Sequence, residues 1–150
     1  MHYMKIDDKD LQILKYLLVD ARQSARQLSL RLGVSTVTML SRIKKLEEKK
    51  IIKGYSALLD HGLLGYDITA VIEIKTTQGK MLEIENMIAK QDNVISVYDI
   101  TGDADTLVIA KFKDRTSLSI FVKKISTIPN IENTVTHIVL NTIKEDSRLL

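Results

Sequence analysis

Apolar positions in the first fifty residues recur at helical spacing. Leu11, Leu14, Leu17 and Leu18 fall 3, 6 and 7 residues along, which places them on one helical face. Asp7 is positioned to cap this helix, and Asp10 brings a carboxylate to its first turn, where the positive helix end favours one. A second, short helix follows Ser24, with Ala25, Leu28 and Leu32 inward. Gly33 ends it, because a residue tolerant of positive φ closes a helix at low cost. Ser35 caps a third helix running from about Thr36 to Lys49, with Val37, Leu40, Ile43 and Leu46 inward. Its outward side is then Thr36, Thr38, Met39, Ser41, Arg42, Lys45 and Lys49.

Two helices joined by Leu32-Gly33-Val34-Ser35 make a helix-turn-helix pattern. The outward side of the third helix has hydroxyls near its start and long cations further along, a set suited to a DNA groove. Arg22, Arg26 and Arg31 lie on the preceding helix or its approach, within reach of phosphates. A plain three-helix bundle with a wet basic face fits the same pattern.

The next segment, Ile51–Asp60, opens on β-branched residues and predicts a short strand, as a wing or a linker. His61-Gly62-Leu63-Leu64-Gly65 marks the best module boundary. Beyond it the periodicity changes. Asp67–Thr76 alternates, with Ile68, Ala70, Ile72 and Ile74 to one side, as in a half-buried strand. A helix after Gly79 turns Met81, Ile84, Met87 and Ile88 inward and is broken by Asn93. Strands over Val94–Ile100 and Thr106–Phe112 flank the turn Thr101-Gly102-Asp103-Ala104-Asp105 as an antiparallel hairpin. Leu118, Phe121, Val122 and Ile125 define another helix, stopped by Pro129-Asn130, and Ile131–Ile143 closes as an extended stretch. Strand, helix, strand, strand, helix, strand is the ferredoxin-like βαββαβ pattern. The fold class is thus α+β: a helix-turn-helix domain over 1–50, a strand or linker over 51–66, and the ferredoxin-like domain over 67–150. With both helices on one sheet face, the other face has no cover in this chain and predicts a dimer.

Charge sharpens this picture. The whole chain carries +3, but residues 1–60 hold 12 Lys+Arg against 7 Asp+Glu, and residues 61–150 hold 10 against 12. Arg22–Lys53 alone holds 9 against 2. A basic front and a mildly acidic back point to a polyanion partner for the front. The chain has 150 residues, 45% of them hydrophobic and 27% charged, which is globular composition. It has no cysteine, so a disulfide framework and a thiolate metal cluster are excluded. Met1–Asp10 is too polar for a signal peptide, and the expected location is the cytoplasm. Neither a GxGxxG nor a GxxxxGK[ST] loop can be written from the six glycines, and His2, His61 and His137 have no zinc-ligand spacing. His137 reads as a structural or interface histidine. No catalytic arrangement and no metal or cofactor are expected.

Three stretches carry a family resemblance: Ile6-Asp7-Asp8-Lys9-Asp10, Leu32-Gly33-Val34-Ser35, and Arg42-Ile43-Lys44-Lys45-Leu46-Glu47-Glu48. With Ile51–Asp60, Leu64-Gly65 and the Thr101–Asp105 turn in the same order, the chain resembles the leucine-responsive regulator/AsnC (feast/famine) family almost throughout. The resemblance implies a nucleoid-associated transcriptional regulator, assembled as dimers that pack into tetramers or octamers. It implies an amino-acid effector bound near the glycine–aspartate turn. By position, effector contacts fall on Thr101, Gly102, Asp103, Ala104 and Asp105, with Thr134 and Thr136 of the last strand. DNA contacts fall on Ser35, Thr36, Thr38, Met39, Ser41, Arg42 and Lys45, beside the phosphate-facing Arg22 and Arg26. Many members have glycine where Lys50 stands, so Lys50 must take a strained turn or the helix must end otherwise. The chemistry of the turn is coherent with the resemblance. Asp103 or Asp105 would accept from an ammonium, and backbone N–H groups around Gly102 would donate to a carboxylate. The competing reading is a tight hairpin whose aspartates serve turn geometry. Two other functions fit parts of the chain: an architectural DNA-binding protein without an effector, and a stand-alone amino-acid-binding regulatory domain.

Overall fold

Helix α1, Asp8–Val19, begins where Asp7 accepts a 2.8 Å hydrogen bond from the Asp10 N–H. Helix α2, Ala25–Leu32, begins in a reciprocal capping box: the Ser24 side chain accepts from the Gln27 N–H, and the Gln27 side chain accepts from the Ser24 N–H. It ends at Gly33, whose φ of 62° is left-handed, and the Val34 N–H reaches back to the Ser29 carbonyl. Helix α3, Thr36–Glu48, starts from Ser35, whose Oγ accepts from the Thr38 N–H at 3.1 Å. This is a computed structural model describing residues 6–77 and 79–150; Met1–Lys5, which open the segment weighed above as a leader, and Gln78 lie outside the described residues.

These three helices close on Ile13, Leu28, Met39 and Leu46. The inward faces differ from the expected ones. In α1 the buried residue is Ile13, and Asp10 shares its side of the helix, with only 15% of its side chain exposed. In α3 Met39 is fully buried, whereas Val37 is 77% and Leu40 55% exposed. The physical reason is drift. Steps of three turn 300° each, so the series 37, 40, 43, 46 spirals off any one face. The positions 39, 42, 43 and 46 hold one face by the 3-4-7 rule. That face includes Arg42, expected outward. Its guanidinium donates at 2.7 Å to both Asp7 Oδ2 and Asp10 Oδ1. The N–H of Asp10 and the Arg42 guanidinium hold the Asp7 carboxyl below the usual carboxylate range.

Helix α3 ends with Lys50 in the left-handed region, at φ 57°. The Lys50 N–H donates to the Glu47 carbonyl and the Ile51 N–H to the Leu46 carbonyl, which is the Schellman closure with a lysine at the glycine position. The strand expected over Ile51–Asp60 is not formed; the segment is irregular. A strand needs an adjacent edge to satisfy its backbone, and no strand of the described residues pairs with it. Tyr55 instead fastens it to α3, its hydroxyl donating to Glu47 Oε1 at 2.8 Å. Partial burial and the Glu47 carboxylate push that phenol up to about 12, so it stays protonated.

The chain divides into two compact units, residues up to Leu58 with Glu145–Leu150, and Leu59–Lys144. The second is a four-stranded antiparallel sheet in the order β2-β3-β1-β4, formed by β1 Ile68–Thr76, β2 Val94–Asp99, β3 Thr106–Phe112 and β4 Ile131–Ile138. Helices α4, Met81–Ile88, and α5, Arg115–Ser126, pack into one core with the sheet, around Ala70, Ile72, Ile74, Val108, Ala110 and Phe112. This is the ferredoxin-like arrangement that the alternation predicts. Two details differ. Met87, expected inward, is exposed while Ile84 and Ile88 are buried. The last strand stops at Ile138 rather than Ile143: one more backbone bond, from the Val139 N–H to the Thr69 carbonyl at 2.9 Å, carries the pairing close to the start of β1 at Ile68, and among the described residues no other strand lies beside β4 to extend it.

Lys50→Gly is expected to stabilise the first unit by about 0.5–1 kcal/mol. That is the left-handed penalty of a side chain less the extra entropy that glycine loses on folding. Urea unfolding of the full chain, followed by amide exchange in α3, checks it. Arg42→Ala is expected to cost about 1 kcal/mol near neutral pH, after discounting for solvent screening. The Asp7 carboxyl sits below its unfolded range, so its share of stability is present above about pH 4 and is lost below. The gap between Arg42→Ala and the parent chain therefore narrows as pH falls through that range. A gap that is flat down to pH 2 in the same unfolding titration contradicts the assignment.

Candidate functional site

The exposed side of α3 is organised by what its inward side has already used. With Met39, Ile43 and Leu46 turned to the core, Thr38, Ser41 and Lys45 follow one another three and four residues apart on the outside. Together with Val37, Asp7 and the edge of Arg42 they line an open groove of about 480 Å³. Four of the residues read from the sequence as DNA contacts are thus brought together there: Thr38, Ser41, Arg42 and Lys45.

The others are placed differently. Ser35 spends its hydroxyl on the cap and lies 2.8 Å from the Thr38 hydroxyl. The Thr36 hydroxyl lies 3.3 Å from Ser29 Oγ on α2, which joins the two helices across the turn. Met39 has no exposed surface, so the expectation that it reaches a base is corrected: it is a core residue. Arg42 retains 28% of its side-chain exposure, and its Nη1 donates to two carboxylates. Arg22, in the turn before α2, and Arg26, on α2, are exposed, whereas Arg31 stacks over the Tyr16 ring at 5.3 Å. Lys44 pairs with Glu48 at 3.7 Å, while Lys45 is an exposed cation lining the groove.

Sequence reasoning missed Val37 and Asp7. Val37 looked like core because it is β-branched and apolar. Asp7 looked only like a cap. The 3-4-7 pattern through Met39 and Leu46 was the signal that would have released Val37 to the surface.

In the second unit the turn Thr101–Asp105 joins β2 to β3 at one end of the sheet. Gly102 has a φ of 131°, a conformation that side chains rarely adopt. Thr101, Gly102 and Asp103 are exposed, and Ala104 and Asp105 are half-buried. Asp105 is knitted into the fold. Its Oδ2 accepts from the Thr76 N–H at 2.7 Å and from the Thr76 hydroxyl at 3.2 Å, and its own N–H donates to the Ile74 carbonyl. Next to it, the fully buried Thr106 hydroxyl donates to Glu85 of α4 at 2.9 Å. Thr134 and Thr136 lie on β4 opposite Ile74 and Ile72. Thr134 and Thr106 therefore flank Ile74 on the same sheet face, roughly 10 Å apart by strand spacing. The Thr134 hydroxyl lies 3.3 Å from Ser126 Oγ on α5. Thr76, which holds Asp105, was not singled out from the sequence.

Residues 6–53 match a winged helix-turn-helix DNA-binding family, and residues 69–149 match the Lrp/AsnC ligand-binding domain. The chain is 44% identical over 146 residues to an uncharacterized HTH-type transcriptional regulator of Pyrococcus furiosus, covering 97% of this chain and 99% of that one. It is 37% identical over 144 residues to the HTH-type transcriptional regulator FL11 of Pyrococcus horikoshii, covering 96% and 95%. Among solved structures, a Neisseria meningitidis transcriptional regulator in complex with L-Met superposes with a TM-score of 0.88 at 28% identity, covering 97% of each chain. Escherichia coli AsnC superposes with a TM-score of 0.89 at 27% identity, covering 96% of this chain and 98% of that one. No helix among the described residues is long and apolar enough to cross a membrane. A three-helix unit with a basic, groove-lined third helix, joined to a ferredoxin-like unit, places the chain in the Lrp/AsnC family of HTH-type transcriptional regulators.

Proposed function

We propose that α3 enters the major groove of duplex DNA with Thr38 and Ser41 toward the base edges and Lys45 reaching a flanking phosphate, and that the Thr101–Asp105 turn belongs to a site for a free amino acid. The observation that carries the first part is the groove along α3, lined by hydroxyls and a cation within a segment of strong positive charge. Ser35 and Thr36 fix the start of α3 rather than the register on DNA, while Arg22 and Arg26 meet phosphates.

The effector reading rests on two features. Asp105 is committed to Thr76, so Asp103 is the carboxylate free to accept an ammonium. Gly102 leaves the backbone open to a ligand carboxylate, with no heavy atom within 4 Å of the place a Cβ would occupy. The L-Met bound to the Neisseria relative supports the ligand class. Thr134 and Thr136, opposite Ile74 and Ile72 on β4, and Ala104 of the turn would shape the pocket wall.

Assembly completes the reading. The sheet face turned away from α4 and α5 presents Val71, Leu107, Ile109, Tyr98 and Val135, with Glu73 and His137 paired at 3.5 Å. Apolar surface of this kind is suited to a second copy of the chain. A two-fold dimer would present two α3 helices to successive major grooves, about 34 Å apart. The effector would shift further assembly to tetramers or octamers by binding one state more tightly than another.

Lys45→Ala is expected to weaken binding to all duplexes alike and to reduce the slope of log affinity against log salt by about 1. Gel-shift titrations across a salt series check this; an unchanged slope removes Lys45 from the interface. A thermal-shift screen of the twenty amino acids is expected to single out one or a few. At 100 times its dissociation constant, a ligand adds about 2.7 kcal/mol. Asp103→Asn should abolish that shift and leave the unliganded midpoint unchanged, whereas Asp105→Asn should lower the midpoint itself. DNA binding with no response to any amino acid would favour the architectural reading.

A further inference from the structure

Val37 is the one strongly exposed apolar side chain lining the α3 groove. It does nothing for the core. Two residues along a helix turn 200°, so with Met39 fully buried, Val37 points almost directly away from it. It stands in the first turn of α3, at the end of a helix-turn-helix recognition helix that meets base edges. Its companions in the groove are two hydroxyl residues, an exposed lysine, and an arginine paired with Asp7.

A β-branched apolar side chain on a short, stiff stem offers a preset apolar surface, and an apolar partner packed on it gains by removing both from water. The occupant follows from charge and from the chemistry of the groove. Arg22–Lys53 holds 9 Lys+Arg against 2 Asp+Glu, which favours a polyanion over an apolar protein surface. On the floor of a major groove the only alkyl group that the four bases present is the C5-methyl of thymine. We infer that Val37 is a specificity-determining residue that packs on a thymine methyl group and selects a T at one position of each half-site. The inference rests on α3 being the DNA-reading helix.

The test uses the full chain and a duplex selected from a random pool for tight binding. Each thymine is replaced in turn by deoxyuridine, which removes the methyl group and leaves every hydrogen-bonding edge intact. For the parent chain, one such replacement per half-site is expected to weaken binding about fourfold, the effect of one buried methyl group. For Val37→Ala and Val37→Ser that penalty should disappear, and selection from the random pool should lose its preference for T there. Val37 is exposed, so thermal unfolding of both variants should match the parent and confirm that folding is intact. Equal affinity for thymine and uridine at every position, or a penalty that survives both substitutions, overturns the inference and leaves DNA binding by α3 standing. A chain that selects no duplex at all overturns the DNA-binding reading and this inference with it.

Discussion

An aspartate and an arginine occupy inward positions on two different helices of the first unit. Asp10 follows the same stripe of α1 as Ile13, Leu14 and Leu17, and Arg42 the same stripe of α3 as Met39, Ile43 and Leu46. Either charge alone at such a place would lose part of its hydration without a partner to replace it. Paired at 2.7 Å, with Asp7 accepting from the same Nη1, they become compatible with the core on which they border. The pair also has a direction. It is satisfied only when α1 and α3 are each rotated to bring those two residues together. That rotation decides everything exposed on α3: it buries Met39 and frees Val37, and it leaves Thr38, Ser41 and Lys45 along the groove. The proposed interface with DNA is in this sense the residue of a packing problem solved on the opposite side of the same helix.

The ion pair also explains where sequence reasoning succeeded and where it failed. Caps were legible because they are local. Asp7, Ser24 and Ser35 each accept from an N–H three residues on, and Gly33 ends α2 in the left-handed region. Lys50 was legible as a conflict, and the structure resolves the conflict by accepting the strained φ rather than by moving the helix end. The rotation of α3 was not legible in the same way. Val37 and Leu40 are better hydrophobes than Met39 and Arg42, and a ranking by hydrophobicity picks the wrong stripe. Only the partnership of Arg42 with carboxylates 32 and 35 residues earlier makes the other stripe favourable, and no local window contains it. The missing strand at Ile51–Asp60 is the same lesson for a sheet: β-branched residues allow a strand, but an edge must exist to receive it.

In the second unit most of the fold was open to reading, because strict alternation in β1 and clean helical spacing in α5 leave few alternatives. Ala70, Ile72 and Ile74 are all buried, as are Leu118, Phe121 and Ile125. The turn was harder to divide. Its two carboxylates look equivalent in sequence, and the structure separates them. Asp105 is drawn onto Thr76 and closes the end of β1, while Asp103 stays in solvent. The ligand reading and the turn-geometry reading are therefore not rivals over the whole turn. The structural role falls to Asp105, and the proposed ligand contact is left to Asp103, two positions earlier.

That separation bears on how the two units divide their work. Asp105 couples the turn to the core through Thr76, and its neighbour Thr106 couples the same end of the sheet to α4 through Glu85. An exposed carboxylate mounted on such a rigid base can exchange its water for an ammonium without disturbing the fold beneath. A ligand held there changes the surface of the unit rather than its interior. Surface changes act through whatever packs on that surface, and a ligand moves an assembly only by the difference in its affinity for the two states. The first unit differs, with one charged cluster, Arg42 with Asp7 and Asp10, set between α1 and α3 to fix the rotation of one helix. A reader of base edges benefits from a fixed face, because preorganised side chains lose less entropy on docking. If Asp103 holds the effector as proposed, its signal reaches the DNA-reading helix through whatever packs on that surface, and the apolar sheet face is the place the proposed second copy would occupy.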